Sequence, residues 1–446
     1  MGNSSTGTGD GKHLEEVGAY LGKPLEREIG QLGSEQELEQ MAWETGALIR
    51  HRGVQSAQDL LRVILGYSML DYSFRQLGMW AVIIEIAELS KTAWLQRLRH
   101  CRQWLGRLVL LALLQQHVQL PADRGIRVKL VDATVICQPG SKGTDWRLHL
   151  GFDLGAMCLD QIELTDGRGA ERLDRFDIRA GEVWIGDRAC AIAKSLGYLL
   201  FRGAWVVVRT GWNRLALETE DGQCFDLVGW LRQQILSPLG SASEQVVWIN
   251  TPQGRYALRL VAQALSPQAV EKARRKVRED ARKNHHTPDE RSLYTAGFIL
   301  LLTNLPESYG NSTLILQLYR FRWQIECAFK RMKSLIHLDH LRAKDPQLAQ
   351  VYLFGKLLGV LLVEGIQRQL FSQHPDWFLD DHRPMSYWRL SSLLWNEMCL
   401  LIRGPLALPK IIELFPKLLR YLLDEPRHRK QQLVQARILF QELSFQ

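Results

Sequence analysis

The sequence predicts an α/β fold class: a mixed-sheet core carrying a β-rich insertion, flanked by N- and C-terminal helical domains. Three observations predict it. Apolar residues recur with helical spacing from about 35 to 120, with few prolines before Pro121. From about 125 the texture turns to short β-branched strands separated by Gly-rich loops. A strand–helix–strand pattern follows, is interrupted by residues 211–306, and gives way to leucine-rich helices in the last hundred residues.

The elements follow in order. Residues 1–28 form a loosely ordered or disordered start, because the first dozen are Gly, Ser and Thr-rich without periodicity. MGNSST fits the loose pattern for N-myristoylation, though a plain polar start is the preferred reading. Residues 29–122 form a helical domain expected to bind DNA. Within it, MWAVIIEIAELSKTAWLQRLRHCRQWL reads as two helices meeting near Leu89-Ser90, with Ser90 as N-cap of the second. The second carries Lys91, Arg97, Arg99, His100 and Arg102. A helix-turn-helix unit and an ordinary helical bundle with a basic face both fit, and both stay open.

The core occupies 123–210 and 307–345. RVKLVDATVI (127–136) is a β-branched strand, and DWRLHLGFDL alternates. Trp146, Leu148, Leu150, Phe152 and Leu154 face one way; Arg147, His149 and Asp153 face the other. LDQIEL makes a third strand; a polar, helix-compatible connection leads to VWIGD, a strand ending in Asp187, then CAIAKSLGYLLFRG makes a helix and WVVVRT a further strand. The order β-β-β-α-β-α-β is the ribonuclease-H-like arrangement. The insertion, 211–306, holds strands at VVWIN, RYALRLVAQAL and FILLLTNL, and a charged helix, QAVEKARRKVREDARKNHH, for which a solvated face and a phosphate contact both stay open. His285 and His286, adjacent in a polar loop, are assigned no metal. Residues 346–446 form a helical domain suited to oligomerisation. The apolar stretches at 104–120 and 352–371 read as buried helices, since Arg107 interrupts one and Lys356, Glu364 and Arg368 the other.

With 46% hydrophobic and 23% charged residues, a sizeable buried core is expected. The formal charge of +8 suits a phosphate-backbone partner without demanding one. Seven cysteines stand singly, which argues against a disulfide framework or a thiolate zinc knuckle and for a reducing cytoplasm. No cationic, apolar leader opens the sequence, and no membrane partner is expected. No G-x-S-x-G or P-loop spacing occurs, and Ser312 and Ser334 lack an obvious base.

The sharpest chemical signal is LYRFRWQIECAFKRMKSLI, read as one helix over about 312–336. Tyr319, Arg322, Glu326 and Lys333 are spaced Tyr-x2-Arg-x3-Glu-x6-Lys. On an ideal helix these four and Lys330 share a stripe about 80° wide, while Leu318, Phe321, Ile325, Ala328, Phe329, Met332 and Ile336 occupy a separate arc. An Arg322–Glu326 surface ion pair would account for part of this, but not for the whole spacing. Asp132 and Asp187 lie in or at the end of apolar strands, where a carboxylate costs free energy unless a partner compensates it.

On these residues the chain resembles the insertion-sequence transposases of the Asp-Asp-Glu class, in the Tyr-Arg-Glu-Lys (IS-four) subgroup. The resemblance runs from about 125 to 370 through VDAT, GTDWRLH, GDRA, VVVRT, LTNL, the signature helix, FKRMKSLIHLDHLRAKD and GKLLGVLLVEG. One departure is Cys190, where relatives often carry an aromatic residue. The resemblance implies Asp132, Asp187 and Glu326 as catalytic carboxylates holding two Mg²⁺ ions, with Mn²⁺ as a substitute. It implies Arg322 and Lys333 on backbone phosphates, Tyr319 on a phosphate or base, and Lys330 and Arg209 as further DNA contacts. Trp323 and Trp212 are candidates for receiving an unstacked base, with a core role equally open. The partners implied are double-stranded transposon ends and target DNA, with a homodimer joining two ends, in a nucleoid-associated cytoplasmic setting. Two alternatives remain: a metal-dependent nuclease or inactive relic on the same fold, and a non-catalytic DNA-binding regulator.

Overall fold

The computed structural model describes residues 29–51, 53–118, 126–234, 242–373, 386–405 and 408–422. The expected disordered start and myristoylation pattern lie outside them. In chain order the helices are α1 (Glu35–Glu44), α2 (Ala57–Met69), α3 (Phe74–Ile83), α4 (Lys91–His100) and α5 (Arg102–Val118). The strands β1 (Arg127–Ile136), β2 (Trp146–Asp153), β3 (Cys158–Asp166) and β4 (Glu182–Gly186) follow, then α6 (Ala193–Phe201) and β5 (Trp205–Arg209). Next come α7 (Leu227–Gln233), β6 (Ser243–Thr251), β7 (Gly254–Ala264), α8 (Pro267–Lys283), α9 (Glu290–Thr295) and β8 (Phe298–Thr303). The rest are α10 (Ser312–Arg320), α11 (Trp323–Ile336), α12 (Pro346–Gln373), α13 (Tyr387–Arg403), α14 (Leu408–Glu413) and α15 (Phe415–Leu422).

The chain divides into two compact units, each built from distant segments. One comprises the described residues to Leu108 with Asp345–Gly359 and those from Asn396 onward. Serine caps set its early helix starts: Ser34 and Ser73 close capping boxes with Glu37 and Gln76, and the Ser56 and Ser90 hydroxyls accept from Asp59 and Ala93 amides. The N- and C-terminal segments are pinned together by polar contacts. Arg62 Nε donates to the Ile402 carbonyl at 3.0 Å, Trp80 Nε1 to Arg403 at 2.9 Å, and the Tyr421 hydroxyl to Leu89 at 2.8 Å. In α4, Trp94 and Leu98 are buried, and Arg99 donates to Asp345 at 2.7 Å, so that part of its basic residue set is already engaged.

The other unit, Val109–Lys344 and Val360–Trp395, is organised by one eight-stranded sheet in the order β3-β2-β1-β4-β5-β8-β7-β6. β1, β4 and β5 run parallel to one another, and the remaining pairings are antiparallel. The insertion reads in sequence as an interruption, yet in space β8, β7 and β6 extend the core sheet beyond β5. One face packs a core of Val131, Trp184, Val206, Val208, Leu258, Leu260 and Leu302 with Leu196 and Leu199 of α6.

The helix expected between the third and fourth strands is absent among the described residues: β3 leads to β4 through a loop with one 3₁₀ turn, Leu173–Arg175. The alternation of β2 sets Arg147, His149 and Asp153 on the face opposite its apolar row, yet His149 and Asp153 are buried as well because both faces of the sheet are covered. Asp153 is matched there by Lys129, whose ammonium lies 2.8 Å from Asp153 and 2.9 Å from Asp160. Burial pulls the Lys129 pKa down, but the two carboxylates more than offset it and hold the pKa above its usual value. Burial, with Arg175 and Arg147 adding to it, pushes His149 down to about 4, so it is neutral near pH 7.

The single helix expected over 312–336 is instead two helices, α10 and α11, joined at Phe321–Arg322. Across the joint the amides of Phe321, Arg322, Gln324 and Ile325 bond carbonyls three residues back instead of four. α10 packs over β5 and α11 over β1, and the tight turn carries the chain from one strand to the other. Tertiary packing thus overrides a continuous helical periodicity. In consequence Tyr319 turns inward and is buried, while Phe321, expected on the buried arc, is exposed.

Helix α12 is long and apolar enough, by length and composition, to cross a membrane, and 67% of its most apolar window is buried within the fold. Its charged residues have internal partners: Lys356 stands 3.5 Å from Asp71, and Glu364 accepts the Leu159 amide at 3.1 Å.

Candidate active site

Strand register assembles the first part of the site. Leu130 of β1 pairs with Ile185 of β4, and Ile185 with Val207 of β5. Two residues further along each strand stand Asp132, Asp187 and Arg209, so these three are level across neighbouring parallel strands. Adjacent strands lie about 4.8 Å apart, which sets the backbone spacing of the row. The row lies at the carboxyl ends of β4 and β5, where open α/β sheets characteristically bind ligands. Asp187 directly follows β4 and caps the short 3₁₀ turn Arg188–Cys190, accepting the Ala189 amide at 2.7 Å. Gly186 is needed for that turn: a Cβ there would sit 2.9 Å from Cys190 Sγ and 3.3 Å from Val131.

Helix α11 supplies the second part. Arg322, at the joint with α10, places Nη1 3.5 Å from Asp132 Oδ2 and pairs through Nη2 with Glu326. One guanidinium therefore ties the carboxylate of β1 to that of α11. Burial works against the charge on Arg322, yet Tyr319, Glu326 and Asp132 around it hold its pKa above the usual value. Burial also drives the Asp132 carboxyl up to about 6. The Ala133 amide and Arg322 oppose that rise, and the negative charges of Asp187 and Glu171 add to it.

Two groups that sequence reasoning missed join the site. Glu171, from the loop after β3, is half-buried beside Arg147 at 3.9 Å. Its pKa is raised by burial first and by Asp187 second, which makes it a further carboxylate in the same field. A glutamate in a polar loop carries no sequence signal. Arg188 directly follows Asp187, and its neighbourhood includes Arg209, Tyr319 and Arg214. Burial, with Arg209 adding to it, lowers the Arg188 pKa. Its adjacency to Asp187 in GDRA was the available clue. An arginine group thus borders the acidic one, and the Arg209 Nε is buried without a hydrogen-bond partner among the described residues.

The other expected residues are dispersed around this centre. Tyr319 is buried, its pKa raised by that burial, with Arg322 5.9 Å from the ring centroid. Lys330 is exposed and Lys333 half-exposed on α11. Trp323 is 63% exposed, an aromatic face open to a ligand. Trp212 is engaged: Nε1 donates to Ser292 at 2.9 Å, and Arg291 stacks 4.1 Å from its ring centroid.

Among the described residues no three His, Cys, Asp or Glu side chains form a metal cage as they stand. The donor chemistry nevertheless fits a hard divalent cation. Asp132, Asp187 and Glu171 carry mutually repelling charge, and the cation that the described residues place between Asp132 and Glu326 is the Arg322 guanidinium.

The family described as "Transposase DDE domain" matches residues 222–362. The transposase for insertion sequence element IS421 of Escherichia coli is 37% identical over 345 residues, covering 76% of this chain and 92% of that protein. The transposase for IS231F of Bacillus thuringiensis subsp. israelensis is 24% identical over 335 residues, covering 68% of each. That for IS231B of Bacillus thuringiensis subsp. berliner is 22% identical over 304 residues, 58% of this chain and 63% of its own.

Proposed function

Because the chain belongs to the insertion-sequence transposases with a DDE domain, we propose that it binds the terminal inverted repeats of such an element and cuts and joins DNA there. Asp132, Asp187 and Glu326 are the carboxylates of the reaction in this reading, and the Tyr-Arg-Glu-Lys spacing supports the IS-four subgroup. The observation that carries it is the parallel register Leu130–Ile185, two residues before Asp132 and Asp187, together with Arg322 bridging Asp132 to Glu326. Two Mg²⁺ ions (or Mn²⁺) held by these carboxylates would supply the positive charge that stabilises the entering and departing oxygens of an in-line displacement.

The chain's own cations do the positioning. Arg209 and Arg188, beside Asp187, face the scissile phosphate, and the Arg209 Nε gives a donor for it. Arg322 exchanges its carboxylate partners for a phosphate when DNA enters. Lys330 and Lys333 hold backbone phosphates further along α11, and Tyr319, buried beside Arg322, offers its hydroxyl to a phosphate or base there. Trp323, the exposed aromatic, stacks on a base released from the duplex. The helices around α4 add DNA contacts. Two copies of the chain act together, because joining both ends of an element needs two active sites. The setting is the bacterial cytoplasm, on chromosomal DNA.

The test uses labelled duplexes carrying the inverted repeats that flank the gene. In Mg²⁺ the wild-type chain nicks the end and transfers the strand; Asp132→Ala and Glu326→Ala bind the same duplex with unchanged affinity and do neither. Nicking that survives either substitution sinks the carboxylate assignment, and cutting without joining supports a nuclease instead.

A further inference from the structure

The charged helix α8 of the insertion is not used by the site described above. Its 17 residues hold seven Lys or Arg against three acids, a surplus of four, half of the chain's formal +8. Ala281 is its buried residue, and Arg274 holds the inner side down by donating to the Leu293 carbonyl at 3.1 Å. At 100° per residue Lys272, Lys276 and Lys283 fall within about 40° of one another, on the side opposite Ala281, and run along about 16 Å of helix. All three are exposed. Among the described residues Lys272 and Lys276 make no ion pair, and Lys283 meets Asp280 only at 4.0 Å between highly exposed side chains, an interaction of little energetic weight.

What the ridge would hold follows from what it lacks. Among the exposed large apolar side chains of the described residues none belongs to α8, so the helix has no face to insert into a lipid surface and no aromatic anchor for a protein partner. Its three lysines also lack arginine's planar fork, the geometry that fixes a directional bidentate contact. A row of compact point charges suits the phosphate backbone of a duplex. We infer that the Lys272–Lys276–Lys283 ridge of α8 is a sequence-independent docking surface for duplex DNA, separate from the carboxylate centre. This rests on the reading of the chain as a DNA transposase and deepens it, by naming where the unit that carries Asp132 holds DNA without reading its sequence.

The experiment measures binding alone, on the full chain, by fluorescence anisotropy with two duplexes of equal length: an element end and its scrambled sequence. Salt is varied between about 50 and 200 mM. Every phosphate that a lysine no longer neutralises takes about 0.9 off the slope of log affinity against log salt. The triple variant K272Q/K276Q/K283Q is therefore expected to flatten that slope by roughly 2 to 3 on both duplexes. Removing the acids instead, in E271Q/E279Q/D280N, is expected to tighten binding to both. A wild-type slope in the lysine variant, or a weakening confined to the element end, overturns the inference. If the wild-type chain bound neither duplex, the inference and the transposase reading would fall together; wild-type binding with an unaltered variant slope overturns the inference alone.

Discussion

Replacing Asp132 by Asn turns the electrostatics of the site into a stability measurement. The Asp132 side chain is 17% exposed, and burial reinforced by Asp187 and Glu171 lifts its pKa from 3.8 to about 6. A carboxyl with a raised pKa binds its proton more tightly in the folded chain than in the unfolded one. Its contribution to stability is full below pH 3.8 and is lost as pH rises through about 6. A shift of about two pK units corresponds to roughly 3 kcal/mol at pH 8, an upper bound for the cost of the bare carboxylate. Asn has nearly the same shape and keeps an oxygen for the Ala133 amide, which now donates to Asp132 at 2.8 Å. In EDTA at pH 8, Asp132→Asn should therefore be more stable than wild type by up to about 3 kcal/mol, read from urea unfolding. At pH 4 the two should unfold nearly together. Added Mg²⁺ should close the gap at pH 8 by stabilising the wild type, by about 2.7 kcal/mol at a hundred times its dissociation constant. A variant less stable than wild type at pH 8, or a gap that does not change with pH, refutes the argument.

Two further outcomes follow from neighbouring groups. Lys129→Met leaves Asp153 and Asp160 buried without their cation, which should cost about 3–5 kcal/mol near pH 7 and less in acid. A urea midpoint shift worth under about 1 kcal/mol would show that the triad is not what holds β1 to its neighbours. Glu171→Gln removes one of the negative charges acting at Asp187, and should weaken Mn²⁺ binding about tenfold by isothermal titration. Unchanged affinity would confine Glu171 to its contact with Arg147.

Much of the secondary structure was legible because it is local. β-Branched apolar runs gave β1, β4 and β5, alternation gave β2, and serine followed by helical spacing gave the start of α4. The i, i+4 spacing of Arg322 and Glu326 likewise needed nothing beyond one helical turn. Asp132 and Asp187 were conspicuous as carboxylates in apolar strands, and that cost is visible in any sequence.

What the sequence by itself determined, then, is which backbone each segment adopts and which residues are chemically out of place there, since both depend on dihedral preferences and side-chain polarity within a few residues. Tertiary structure alone decided that β1 and β4 run parallel in the register that sets Asp132 level with Asp187 and Arg209. It also decided that the insertion's strands extend the core sheet, and that a helix with unbroken apolar periodicity turns at Phe321–Arg322 to serve two strands. Glu171 and Arg188 entered the site the same way, from a loop and a turn without periodic signal. The physical reason is that strand pairing, helix packing and the field at a carboxylate are set by groups tens or hundreds of residues apart, and no local pattern records that separation.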